Sequence, residues 1–218
     1  MICAAWAAAP PAARGASFAC GPGNARVEQM ICADDALSRL DDRLAAAFTR
    51  SVAAFGNSPD DAEGVVADLR KSQKTWLAAR DSCADRDCVA RQYRARTAVL
   101  EFHGRPGATG WVDAIAGEYH HDRFMTLWIQ VRDSDSVRVA FSGAEPRSAQ
   151  WICDFVGFGT RDNGDTIEIR LSVSGGEVLL VMRRASGAID VPDTPLNQSA
   201  SENYCGMGGT LIWRYDPK

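Results

Sequence analysis

The chain has 218 residues, 24 basic and 28 acidic side chains, a net charge of −4 and 46% hydrophobic residues. That composition excludes wholesale disorder and collagen-like or coiled-coil chains, and it leaves room for one large domain or two small ones. A general nucleic-acid binder is excluded as well, because no run of Lys or Arg is present; the arginines of residues 91–96 spread around a predicted helix.

The opening stretch, residues 1–19, reads as the remnant of a secretory signal. Residues 2–13 are apolar and rich in alanine, and residues 12–19 are rich in small side chains, as before a cleavage site. A lipid anchor is not expected, since Cys20 follows Ser17-Phe18-Ala19 with no Leu-like residue three positions ahead of it. No apolar run approaches the ~18 residues of a membrane span.

Residues 24–102 carry a helical period. Leu37, Leu40, Leu44, Phe48, Val52 and Phe55 recur at steps of three and four. Asp34 and Asp35 suit the start of that helix, where unpaired backbone N–H groups favour carboxylates. Gly56-Asn57-Ser58-Pro59 stops it; Ser58 is a cap for the next helix, with Pro59 at its first position and Asp60 and Asp61 in its first turn. That second helix carries Leu69, Gln73, Trp76, Arg80 and Cys83 on one stripe, and a third runs over about 88–102. Folding the pair back near Ser58 places Trp76 between helices and pairs Arg80 with Asp41 or Asp42.

Residues 104–116, rich in Gly and Pro, read as a linker. From residue 117 the pattern alternates. Strands are predicted at 124–132, 136–142, 165–173, 177–184 and 210–215, with turns at Asp133-Ser134-Asp135, Asn163-Gly164 and Gly175-Gly176. This half is expected to hold seven or eight short strands and no helix, as a small antiparallel barrel or sandwich. The fold class is therefore α+β with two domains: a disulfide-braced helical hairpin or bundle over 20–103 and an antiparallel β domain over 117–218.

Seven cysteines are many for a chain kept reduced. Cys3 lies in the opening stretch; Cys20, Cys32, Cys83, Cys88, Cys153 and Cys205 are enough for three bonds. No Cys-x-x-Cys occurs, and neither His103 nor the adjacent His120 and His121 has metal-ligand spacing, so disulfides in an oxidising compartment are expected, with no metal and no cofactor. In a simple helical hairpin residue 32 faces about 84, which favours Cys32–Cys83 and Cys20–Cys88; the first would close a loop of about 50 residues and contribute about 4 kcal/mol. Cys153 and Cys205 are expected to pair.

Catalytic signatures are missing. Gly-x-Ser-x-Gly does not occur, and Gly206-Met207-Gly208-Gly209 leads into a predicted strand, so it is no phosphate loop. The longest polar stretch in the β half is residues 192–203, read as a loop from which Asp193, Ser199, Ser201, Glu202 and the neighbouring Tyr204 would face a partner. Ala144-Glu145-Pro146-Arg147 is a second exposed candidate.

Several ordered elements of the helical half belong together: Ser17-Phe18-x-Cys20, Glu28-x-x-Ile31-Cys32, Leu37-x-x-Leu40-Asp41, Gln73-x-x-Trp76-x-x-x-Arg80-x-x-Cys83, Cys88-Val89 and Tyr93-x-x-Arg96. This set, over about residues 17–102, resembles the N-terminal domain of the LprI-type lysozyme inhibitors of the bacterial envelope. The closing run Asn203-Tyr204-Cys205-Gly206-x-Gly208-Gly209, then Trp213-x-Tyr215, is similar to β domains appended to it. Small barrels of the MliC class also inhibit lysozyme, through a Ser-Gly-x-x-Tyr-like loop; Ser201-Glu202-Asn203-Tyr204 is comparable but lacks the glycine. The resemblance implies a periplasmic or secreted, non-enzymatic protein that occludes the cleft of a lysozyme or related peptidoglycan hydrolase. An immunity or envelope interaction module directed at another secreted toxin is the alternative.

Overall fold

The computed structural model describes residues 16–56, 62–161, 166–173 and 176–218. The expected Ser58-Pro59 cap with Asp60 and Asp61, the Asn163-Gly164 turn, Gly175 and residues 1–15 lie outside these residues. The architecture is α+β in two domains: a helical N-terminal unit and a closed eight-stranded antiparallel barrel.

The helical unit comprises α1 (Arg26–Ala33), α2 (Asp35–Phe55), α3 (Ala62–Asp81) and α4 (Arg86–Leu100). Asp34 separates the first two. Its carboxylate accepts the N–H groups of Ala36 at 2.8 Å and Leu37 at 3.1 Å, which caps α2 as the sequence suggests. Asp85 caps α4 in the same way through Cys88 N–H. The unit's core is built from Ile31, Leu37, Phe55, Leu69, Tyr93 and Leu100, all fully buried.

After a short α5 (Trp111–Ile115) the chain forms β1 (Gly117–His121), β2 (Met125–Val131), β3 (Ser136–Ala144), β4 (Ile152–Arg161), β5 (Thr166–Val173), β6 (Gly176–Ala185) and β7 (Ala188–Asp190), then α6 (Pro195–Tyr204) and β8 (Arg214–Pro217). Each strand pairs with its sequence neighbour, and β8 returns to β1 through Tyr119↔Pro217 and His120↔Asp216. Closure removes both sheet edges. Inward positions alternate along the strands, as in Met125, Leu127, Ile129 and Val131 of β2, and pack with Phe141, Phe155 and Tyr215. Gly143 is required where β3 passes the β1–β2 turn, since a Cβ there would stand 2.1 Å from the Phe124 carbonyl oxygen.

The helices cover the outside of β2, β3 and β4. Trp128, Ala140, Val156 and Phe158 on that outer face join the helical core rather than the barrel interior. Gln130 donates to Ser51 Oγ at 2.9 Å, and Ser51 donates to the Leu100 carbonyl at 2.8 Å. Phe102, at φ +59°, closes α4 in the left-handed region and wedges its ring between Phe55 and Trp128, at centroid distances of 6.0 and 6.5 Å. A phenylalanine in that conformation is costly, and the seam packing offsets the cost.

Three expectations are corrected. First, the β half does contain helix. Residues 195–204 form α6, with Thr194 accepting Asn197 N–H and Pro195 in the first turn, a start signal inside a stretch whose polar composition reads as loop. The expected linker likewise contains α5, held by Asp113, which takes two bonds from the Arg105 guanidinium and one from its N–H. Second, the last strand is β8 at 214–217 rather than 210–215, because the Leu211 N–H is spent on Ser201 Oγ at 3.0 Å and the Ile212 N–H on Thr210 Oγ1.

Third, the helical disulfides are Cys20–Cys32 and Cys83–Cys88, not Cys32–Cys83 and Cys20–Cys88. The start of α1 does lie against residues 83–84, since the Arg26 guanidinium donates to the carbonyls of Cys83 and Ala84. The break at Asp34, however, lets the segment before α1 fold back along it. Cys20 then meets Cys32 with Cα atoms 5.8 Å apart, and Cys83 meets Cys88 across the α3–α4 turn at 5.5 Å. Cys153–Cys205 is formed as expected and ties the end of α6 to β4.

Candidate functional site

The motif residues of the helical unit converge on one lattice. Tyr93 of α4 donates to Asp41 Oδ1 of α2 at 2.7 Å and accepts from Arg80 Nη1 of α3 at 3.2 Å. Asp41's other oxygen accepts the Ser17 N–H. Trp76 lies edge-on to Tyr93 at 5.2 Å and donates its indole N–H to the Gln92 carbonyl, while Arg80 reaches over the Trp76 ring at 5.7 Å. One turn back, Arg96 donates to Gln73 Oε1 and Ser72 Oγ, both at 2.9 Å. Trp76 thus sits between helices as the sequence suggests. Arg80 does not meet Asp41 directly; Tyr93 stands between them, and the guanidinium pairs with Asp81 at 2.7 Å.

Burial, and then the Asp41 carboxylate, push the Tyr93 phenol up, so it stays protonated and serves as a hydrogen-bond relay. Burial works against the Arg80 charge, but Asp81 and Tyr93 outweigh it and raise its pKa. Burial, with the Arg138 charge nearby, lowers Arg96 to about 10. All of these partners are mutual. The lattice fixes three helices and carries no nucleophile.

Above the lattice, α2 and α3 diverge around a groove of about 550 Å³. Phe18, Leu44, Phe48, Trp76 and Leu77 supply its apolar lining, and Glu28, Asp41 and Asp81 its carboxylates. A second crevice, of about 490 Å³, runs along the seam with the barrel between Glu101 and Glu118. Its carboxylates are already matched: Glu101 by Arg43 and Arg50, Glu118 by Lys218 at 3.0 Å and His120 at 3.1 Å. Hydrogen bonds from Arg43 lead the causes that hold the Glu101 carboxyl below the usual range.

The candidate binding residues of the β half are divided by α6. Asp193, Ser199 and Glu202 are exposed. Ser201 and Tyr204 are buried and do not face a partner. Ser201 donates to the Asn197 carbonyl, and Tyr204 stacks edge-on to Phe155 at 4.6 Å. Glu145 caps its own turn through Ser148. His120 lies near Thr126 and Glu118, whereas His121 stacks on Trp213 at 4.2 Å, so the two point apart. No group of three or more potential metal ligands occurs among the described residues. None of their helices is long and apolar enough to cross a membrane.

Sequence reasoning missed the rim formed by His121, Phe124, Trp151 and Trp213, with Ile152 and Met207 exposed by 55% and 95% beside it. Its members come from three separate segments, at residues 121–124, 151 and 213, and the closure of the barrel brings them together.

Residues 19–100 match the family described as Lysozyme inhibitor LprI. The protein named Lipoprotein LprI in Mycobacterium bovis, and its namesake in two strains of Mycobacterium tuberculosis, are each 31% identical to this chain over 109 residues. The match covers 46% of this chain, and the chain spans about half the length of these relatives, 51%. No solved structure matches. The family match covers residues 19–100, the helical unit, which also holds the lattice of Asp41, Gln73, Trp76, Arg80, Tyr93 and Arg96.

Proposed function

We propose that this protein is exported to the bacterial envelope or beyond and binds a lysozyme, or a related peptidoglycan hydrolase, so that the enzyme's substrate cleft is occluded. The match of residues 19–100 to a lysozyme-inhibitor family carries this reading. Two features agree with it. The six cysteines among the described residues are all joined in disulfides, which persist in oxidising compartments. The net charge of −4 suits encounter with the many lysozymes that are basic.

Inhibition of this kind is non-covalent. It needs a rigid surface that excludes glycan, and the disulfide-stapled helical unit docked on a closed barrel supplies rigidity. The exposed Asp193, Ser199 and Glu202 of the α6 region are one candidate contact; the helical unit is the other. The test is the clearing of a bacterial cell-wall suspension by hen-type and goose-type lysozymes, with and without the purified chain. Slowed clearing near equimolar protein is expected. Unchanged clearing by both enzymes at tenfold molar excess would remove the proposal.

A further inference from the structure

We infer that the α2–α3 groove, rather than the α6 edge of the barrel, receives the inhibited enzyme, and that its occupant is a short cationic segment of that enzyme carrying an apolar side chain. This rests on the reading proposed above and adds the contact surface and the chemistry of what enters it.

Position is the first argument. The lysozyme-inhibitor family match covers residues 19–100, so a property carried by that family pattern is placed in the helical unit. The groove lies there, lined by residues 44–49 of α2 and 73–81 of α3 together with Ser17 and Phe18. Neither α6 nor the aromatic rim of the barrel falls within the match.

Shape and charge specify the occupant. From Gln73 to Asp81 the wall of α3 is about 12 Å long at 1.5 Å per residue. With a volume of about 550 Å³, the groove has room for a few side chains of a protruding loop and not for a long helix. Its lining is apolar at Phe18, Phe48 and Leu77, all partly exposed. Its lining holds three carboxylates, Glu28, Asp41 and Asp81, and one guanidinium, that of Arg80, which is engaged by Asp81 and Tyr93; Asp41 lies buried at the base, its oxygens accepting from Tyr93 and Ser17. The groove therefore presents an excess of negative charge around an apolar floor, and a Lys or Arg beside an apolar residue complements it. The seam crevice offers no such excess, since Glu101 and Glu118 are matched by Arg43, Arg50 and Lys218. In this geometry a lip of the enzyme enters the inhibitor, and the body of the inhibitor covers the cleft mouth.

The lattice beneath the groove gains a role from this placement. Asp41, Tyr93 and Arg80 hold α2 and α3 at the separation that keeps the groove open.

The test compares two double variants of the full chain with the wild type. Ala45→Arg with Thr49→Arg places two cations on the α2 wall; Thr49 is exposed and bonds only its own helix, so the core is untouched. Asp193→Lys with Glu202→Lys reverses charge on the α6 region. Inhibition is read by cell-wall clearing and affinity by calorimetry, with the melting temperature as the check of folding. The groove variant is expected to bind at least tenfold more weakly at unchanged melting temperature, while the α6 variant inhibits as wild type does. A groove variant within twofold of wild type overturns the assignment and leaves the inhibitor reading standing. A wild type that inhibits nothing removes the reading itself. Should the groove variant fold poorly, hydrogen exchange of the wild type with and without lysozyme decides. Protection at 44–49 and 73–81 is expected, and protection confined to the barrel contradicts the assignment.

Discussion

Removing the Asp68 carboxylate tests how the two domains are held together. Asp68 of α3 meets Arg138 of β3 through Nε at 2.9 Å and Nη2 at 2.8 Å, and it also accepts two bonds from Arg132 at 3.2 Å. The Arg138 side chain is 1% exposed and that of Asp68 22%. Arg138 keeps only Gln130 Oε1 and the Val131 carbonyl when Asp68 is gone, and the charge of Arg96 stands close by. One carboxylate thus serves as counter-ion to a cluster of guanidinium groups at the seam. Asp68→Ala leaves a buried cation uncompensated, which costs about 3 kcal/mol, the lower end of the range for such a break because Asp68 itself is partly solvated. For a chain of this size that lowers the melting temperature by about 6–12 °C in a calorimetric or circular-dichroism scan. Adding Arg138→Met removes the orphaned charge and is expected to restore all but about 1 kcal/mol. Burial pushes the Asp68 carboxyl up, but the hydrogen bonds and charges of Arg132 and Arg138 outweigh it and hold its pKa below the ordinary 3.8. The stabilisation is therefore complete above about pH 4 and is lost as the pH falls through the depressed folded value, so wild type and Asp68→Ala converge in strong acid. A loss under about 1 kcal/mol at neutral pH, or a double variant weaker than the single one, would refute the counter-ion role.

Other perturbations have directions fixed by the same structure. Replacing disulfides pairwise by alanine should destabilise in the order Cys153–Cys205, Cys20–Cys32, Cys83–Cys88, because the closed loops span 52, 12 and 5 residues; chain entropy assigns about 4, 3 and 2 kcal/mol, read by urea denaturation. Tyr93→Phe strips Asp41 of a buried donor and Arg80 of an acceptor, and should cost about 1–3 kcal/mol in the same measurement. Asp154 is raised above 3.8 by burial, which exceeds the opposing Ser142 hydrogen bond, and its Oδ1 has no partner. Asp154→Asn should therefore stabilise at pH 7, and the gain should vanish on acidification, as the wild-type carboxyl takes up its proton.

Local signals were readable where one segment decides the outcome. Asp34 announces the start of α2 because a cap needs only the next three residues, and the hairpin strands β2 and β3 follow from alternation around the Asp133-Ser134-Asp135 turn. Strand β4 was obscured. Its outer face lies under the helices and its inner face in the barrel, so Val156 and Phe155 are both buried and the period of two is blurred. Helix α6 hid behind its polar face, although Thr194-Pro195 is a start signal. The disulfide partners escaped because both bonds are local: the break at Asp34 lets Cys20 fold back on Cys32, and Cys83 meets Cys88 across the short α3–α4 turn, so neither bond joins the two arms of the hairpin. Of the candidate site, the motif side chains could be read from the sequence. Their convergence on Tyr93, and the groove above it, could not, because both depend on how far α2 and α3 diverge.

Occlusion of the cleft is most directly tested by competition. Lysozyme is titrated with the full chain in a calorimeter, alone and with its cleft saturated by a chitin oligosaccharide. The account predicts one-to-one binding to free lysozyme and an apparent affinity that falls as the oligosaccharide is raised. Binding that ignores a filled cleft, or no binding at all, would contradict it.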